Sequence, residues 1–194
     1  VRLGMLLCSS AGNDILFDES QVEQGRNFCN KIWNAYRLIR GWEVSADIQQ
    51  SEHSKLAAEW FDNKLSQTIE TIDEHFSKFR LSDALMTLYK FFWDDFCAWY
   101  LEVIKPEYGK PIDKVTYDTT IVFFEKLLRL LHPIMPFITE ELWQNIEERK
   151  DGETIMLQPQ PKAAPYSVET IHAFEQGVGA IASVRNIRQS KGLS

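Results

Sequence analysis

The stretch 25-GRNFCNKIWNAYRLIRGW-42 decides how the rest of the chain is read. At helical spacing, Phe28, Cys29, Ile32, Trp33, Ala35, Tyr36 and Ile39 fall on one broad apolar face. Asn27, Lys31, Asn34 and Leu38 fall together on the other side, at offsets i, i+4, i+7 and i+11, flanked by Asn30, Arg26 and Arg37. The pattern predicts an amphipathic α-helix from a cap at Asp18, with Gln21 completing a box-like pattern, to about Arg40, stopped by Gly41. Its polar side is unusual. Each Asn costs roughly a few tenths of a kcal/mol or more relative to Ala in a helix, because its amide competes for backbone hydrogen bonds. A merely solvated face is built more cheaply from Glu, Lys and Gln. Amides and guanidinium groups suit the edges of exposed nucleic-acid bases. The competing reading is that the amides cap loops or bridge to another helix.

Outward from this helix, the pattern stays helical. A turn at 9–14 and a short extended segment, Ile15-Leu16-Phe17, precede it, and residues 1–8 read as the end of a helix. After a polar connection at 43–50, a second helix runs from about Ser51 to Phe79. A third is capped by Ser82 and ends before Lys105-Pro106, and a fourth runs from about Tyr117 to Leu131. The sequence 132-HPIMPF-137 breaks the pattern, and Thr139 is expected to cap a short piece with Glu140-Glu141 in its first turn. Beyond Asp151-Gly152, Thr154 to Leu157 is a strand candidate. Pro159, Pro161 and Pro165 make an extended connector, and Ser167 caps a last helix to about Arg188, which must lie on the bundle or on chain outside this sequence. The expected fold is all-α: an up-down bundle of four long helices with a short extended segment and a C-terminal helix.

The 194 residues contain 44 % hydrophobic and 12 % aromatic residues, with six Trp and twelve Phe, ample for a packed core. No apolar run has the length of a membrane span. The start lacks a Met and reads as a cut through a longer protein. Three widely spaced cysteines, Cys8, Cys29 and Cys97, form no CxxC or metal pattern, which points to a reducing, cytoplasmic setting. The net charge of −7 argues against indiscriminate nucleic-acid binding. It is unevenly spread. Between Val22 and Trp42, Arg26, Lys31, Arg37 and Arg40 face only Glu23, whereas from Glu43 to Arg80 acids outnumber bases.

Candidate chemistry is sparse. Gly177-Val178-Gly179-Ala180-Ile181-Ala182 matches G-x-G-x-x-A but lies in a helical pattern with no preceding strand, so its glycines read as allowing close helix approach. His53, His75, His132 and His172 stand apart, without metal-ligand spacing. His132 reads as a helix-end residue, one of Asp94-Asp95 must face outward, and Glu140-Glu141 suit a positive helix end. There is no Walker A, nucleophile elbow or zinc signature, and no catalytic or metal residue is assigned.

Two groups of residues carry a family resemblance. Gly12-Asn13-Asp14-Ile15, Arg26-Asn27-Phe28, Asn30-Lys31, Trp33-Asn34 and Arg37 resemble the opening of the anticodon-binding domain of valyl-tRNA synthetases. The segment 132-HPIMPFITEELW-143 is similar to a motif shared by valyl, isoleucyl and leucyl enzymes, and 182-ASVRNIR-188 resembles the region after the bundle. The resemblance implies a class I aminoacyl-tRNA synthetase that uses ATP with Mg to attach valine to tRNA(Val) and edits mischarged threonine. The HIGH and KMSKS signatures and the editing domain are absent from this sequence.

On that reading, residues 1–17 are the end of a connection from a catalytic domain, 18–150 the anticodon-binding bundle, and 151–194 an extension leading to a C-terminal arm. The fragment carries no cofactor and is monomeric. Its partners are the tRNA(Val) anticodon loop and its own catalytic domain, with no membrane. The RNA-binding residues are Arg26, Asn27, Asn30, Lys31, Asn34, Arg37 and Leu38, the last often aromatic in relatives. An isoleucyl or leucyl anticodon domain, or a non-catalytic protein-interaction bundle, are the alternative readings.

Overall fold

The computed structural model describes residues 1–7 and 19–192. The expected turn at 9–14, the extended Ile15-Leu16-Phe17 and the Asp18 cap lie outside the described residues. The remainder is the expected all-α bundle. Its long elements are α2 (Glu19–Arg40), α3 (Glu52–Ser77), a continuous helical rod made of α4 (Leu81–Lys90), a π-helical stretch (Phe91–Tyr100) and α5 (Leu101–Ile104), and α6 (Lys114–Leu131). Two shorter helices, α1 (Arg2–Leu7) and α7 (Pro136–Ile146), and the long C-terminal α8 (Val168–Ser190) complete it.

Phe61 of α3 is the hub of the core. It is fully buried, with ring centroids 5.0 Å from Phe91, 5.4 Å from Phe96, 4.8 Å from Tyr100 and 5.0 Å from Phe123. The π stretch makes this possible. Its bonds reach back five residues, as from Leu101 N to Phe96 O, and the looser winding brings Phe91, Phe96 and Tyr100 around one partner ring. An ordinary helical period does not anticipate that grouping, and it leaves Phe91 outside the core. From there the aromatic contacts run on through Phe92 to Phe28 of α2, 5.5 Å apart.

The helix ends differ from expectation in instructive ways. Ser51 does cap α3, accepting from Ser54 N at 3.2 Å. Ser82 is not the cap of its helix: the helix starts at Leu81, and the Ser82 hydroxyl donates to Leu6 O at 3.0 Å, tying α1 to α4. The α3–α4 turn places Phe79 at φ 57°, a left-handed position that glycine usually fills. Thr139 is no cap either. Helix α7 opens three residues earlier at Pro136, where a missing N–H is harmless. The Thr139 hydroxyl bonds Met135 O (2.9 Å) and the His132 ring (2.7 Å), inside the helix.

The polar connection at 43–50 meets the connection between Pro106 and α6. Val44–Ser45 (β1) pairs in parallel with Ile112–Asp113 (β2). Two-residue strands carry no alternation to read, so the sequence pattern gives no sign of this ladder. It delivers Asp113 to the start of α6, where its carboxylate accepts from Thr116 N at 2.8 Å and starts the helix three residues before Tyr117.

The expected strand at Thr154–Leu157 is a 3-10 turn, Ile155–Leu157. Glu140 makes it so. Its carboxylate accepts from Thr154 Oγ1 (2.6 Å) and Ile155 N (3.2 Å), while Gln144 donates at 2.8 Å. Burial alone raises the Glu140 pKa, but these donors outweigh it and hold the carboxyl below its usual range. This loop contact replaces the helix-end role expected from sequence.

Helix α8, capped by Ser167, lies on α3. Phe174 stacks on Trp60 at 4.2 Å, Ile171 is buried, and Lys64 pairs with Glu175 at 2.6 Å. Gly177 and Gly179 lie beyond this contact, and a Cβ at either would meet nothing within 4 Å. The expectation that they permit close helix approach is therefore corrected. Gly4 is the glycine that does so: a Cβ there would sit 2.5 Å from Gln21 O and 2.8 Å from Gln21 C, backbone atoms that cannot rotate away. Gly4→Ala is expected to lift α1 off α2. Amide hydrogen exchange should accelerate across 2–7 while the amides of α3 keep their protection.

Candidate nucleic-acid interface

Helix α2 is anchored by Phe28, Ile32, Ala35 and Ile39, none more than 5 % exposed. Glu19 in its first turn and Arg37 and Arg40 in its last complement the helix dipole. That burial line fixes where every other side chain goes. Arg26, Asn27, Asn30, Asn34, Arg37 and Leu38 are all exposed, Leu38 by 40 %. Among the described residues, the amides of Asn27, Asn30 and Asn34 and the Arg37 guanidinium have no side-chain partner, and the loop-capping reading of these amides finds no partner either. Arg26 is paired with Glu23 at 2.8 Å, in a solvated position where such a pair contributes little.

Lys31 differs from its neighbours. It is half-buried, and its ammonium lies 5.0 Å from the centroid of the Trp93 ring. The line Asn27–Lys31–Asn34–Leu38 thus runs along the flank of α2 that faces the π stretch, rather than on its outermost side. There it borders an aromatic wall: Tyr89 and Trp93, half-buried, stack on each other at 5.6 Å. The sequence reading assigns neither ring to the site. Both belong to the third helix, whose aromatics the helical period places in the core.

The outermost line is a second one: Arg26, Asn30, Trp33, Arg37 and Arg40, at offsets i, i+4, i+7, i+11 and i+14. Trp33, expected on the apolar face, is 40 % exposed instead. Arg40 reaches the Tyr117 hydroxyl at 3.4 Å, and Tyr36, behind Trp33, donates to Asn145 O at 3.0 Å, joining α2 to α7. The helix therefore presents two parallel polar lines, one rich in amides beside an aromatic wall, one rich in arginines around an indole. Amide, guanidinium and ring surfaces together can hydrogen-bond base edges, neutralise phosphate and stack on unpaired bases.

Among the described residues, no group of three or more His, Cys, Asp or Glu is placed to hold a metal ion, and no helix is long and apolar enough to cross a membrane.

Residues 58–194 match the family described as the anticodon-binding domain of tRNA ligase. Helix α2 lies upstream of that match. Across its whole length the chain is 54 % identical to a protein of Phocaeicola vulgatus and to one of Porphyromonas gingivalis, and 37 % identical to one of Fusobacterium nucleatum, each named valine--tRNA ligase. The chain spans 22 % of the length of the first two relatives and 23 % of the third.

Proposed function

The chain belongs to the anticodon-binding domain family of tRNA ligases, and from that premise we propose that it is the anticodon-reading part of a valine--tRNA ligase. The observation that carries the reading is the polar face of α2: exposed amides of Asn27, Asn30 and Asn34 and an exposed Arg37, without side-chain partners among the described residues, on a chain of net charge −7. Unstacked anticodon bases offer donors and acceptors on their edges, and an Asn amide presents one of each. Asn27, Asn30 and Asn34 read base edges. Arg26, Lys31 and Arg37 meet phosphate or base acceptors, and Leu38 packs apolar surface on a base. Net acidity outside α2 discourages RNA from binding elsewhere on the body.

In this reading the parent protein is a cytoplasmic, monomeric enzyme that esterifies tRNA(Val) with valine and edits mischarged threonine. Residues 18–150 form its reading bundle, with 1–17 leading from a catalytic domain and 151–194 leading to a C-terminal arm. ATP and Mg serve the catalytic domain of that parent enzyme.

Asn34→Ala in the full-length protein is expected to weaken tRNA(Val) binding roughly three- to tenfold, the scale of one or two lost hydrogen bonds. Its melting temperature should stay unchanged, because Asn34 is exposed. Filter binding with tRNA(Val) and with a transcript whose middle anticodon base is changed tests the reading. Equal affinity for the two RNAs would overturn specific reading, and a parallel loss of stability would return Asn34 to a structural role.

A further inference from the structure

We propose that Trp33 is a stacking platform for one unpaired base of the RNA loop held on α2, with Arg37 and Arg26 placed along the helix to meet the phosphates on either side. Trp33 is exposed, whereas the other five tryptophans are buried or half-buried. Most of those rings are already covered on a face. A cation sits over Trp93, Trp99 and Trp143, and Phe174 stacks on Trp60. Among the described residues, the ring nearest Trp33 is Tyr36, at 6.1 Å and tilted by 51°, which is not a stack. The core contact of this helix is carried by Phe28, Ile32, Ala35 and Ile39, and Trp33, 40 % exposed, leaves part of its indole open as apolar area.

The surroundings choose the occupant. Arg26, Arg37 and Arg40 share the line of Trp33, and Asn30 lies one turn before it. Three guanidinium groups around one indole, on an otherwise acidic chain, complement a phosphate backbone that turns its bases inward. Arg26 has Glu23 and Arg40 has the Tyr117 hydroxyl, but an apolar protein surface would leave the Arg37 guanidinium without a partner. A duplex cannot offer the indole a face, because its bases are stacked, so the occupant is a single-stranded loop. Leu38 has no π-face, and the Trp93 ring beside the amide line is already covered by Lys31 and Tyr89, so Trp33 supplies the open stacking surface. The inference rests on the RNA-reading assignment of α2 and adds a second contact to it.

The test uses the full-length protein with Trp33→Leu, Trp33→Phe and Asn34→Ala. The probes are tRNA(Val) and a set of transcripts carrying one abasic site at each anticodon-loop position. Trp33→Leu should weaken binding roughly tenfold, the scale of one lost base–aromatic stack, and Trp33→Phe should stay within about threefold of the unchanged protein. One abasic site should weaken binding to the unchanged protein by the same factor and leave binding to Trp33→Leu unaltered. If Asn34→Ala weakens binding and Trp33→Leu does not, the stacking role is overturned and the amide reading stands. If neither does, both fall. A Trp33→Leu loss that Phe fails to restore, or that adds to every abasic loss, marks Trp33 as structural and overturns the proposal.

Discussion

Phe61→Ala is expected to lower the stability of the chain by about 3–5 kcal/mol, the range for emptying a buried Phe site. Against a total stability of roughly 5–15 kcal/mol for a domain, that is a large fraction, and the melting temperature should fall by about 10 °C. The size of the effect follows from the walls of the cavity. Phe91, Phe96, Tyr100 and Phe123 all lie with ring centroids within 5.4 Å of Phe61, and Trp60 is 6.0 Å away. Three of those rings are carried by the π stretch, whose backbone is continuous with α4 and α5, so they cannot move in separately to fill the void. Phe137→Ala is the matching control, because Phe137 is 87 % exposed and its loss should change stability by less than about 0.5 kcal/mol. Urea unfolding of the two variants checks both. Comparable losses would mean that the centre of the core has been misplaced. The effect should also reach α2, because the Phe96–Phe92–Phe28 contacts join Phe61 to the helix that carries the polar face.

Helix positions were legible where burial alone sets the period. Helix α2 ends at Arg40 and α8 begins just after Ser167, as their patterns require, because an amphipathic face and a cap residue are both local signals. What could not be read depends on distant partners. The β1–β2 ladder pairs residues that lie far apart in sequence and contains two residues per strand. The turn at Ile155–Leu157 takes its shape from Glu140, a side chain on another element. Ser82 has the composition of a cap but donates its hydroxyl to α1. For the candidate site, the sequence supplied the amides but not the ring surfaces. Trp33 and Ile32 are neighbours and both apolar, and only the buried line Phe28–Ile32–Ala35–Ile39 shows that Trp33 falls off the apolar face. Trp93 was hidden by the π stretch, whose change of winding alters which aromatics face the core and which border α2.

Asp95→Asn is expected to stabilise the chain at pH 8 by up to about 3 kcal/mol and to change it little at pH 4. Asp95 lies in the π stretch, and its carboxyl is pushed up to about 6, above all by burial. The Lys64 charge pulls it back down, and Glu175 and Asp94 push it further up. In the unfolded chain an Asp titrates near about 3.9. Between these two values the unfolded chain has released its proton and the folded chain has not. Stability therefore declines as pH rises through that window, and the full loss is in place above about pH 6. A gap of about two pH units between the folded and unfolded titrations corresponds to about 3 kcal/mol, a penalty that the neutral amide removes. Every other titrating group is shared by the two proteins, so the difference between them isolates Asp95. The neighbouring Asp94 is exposed, and Asp94→Asn should shift stability by no more than about 0.5 kcal/mol at either pH. The sign of the result separates two physical pictures. If Asp95 served mainly as an ion-pair partner of Lys64, removing its charge would destabilise the chain at pH 8. The Lys64 ammonium instead sits 2.6 Å from Glu175, the residue that ties α8 to α3, which leaves Asp95 as the carboxylate whose burial is least offset. Chemical unfolding at pH 4 and pH 8 decides between them, and a destabilised Asp95→Asn at the higher pH would mean that pairing outweighs burial at this position.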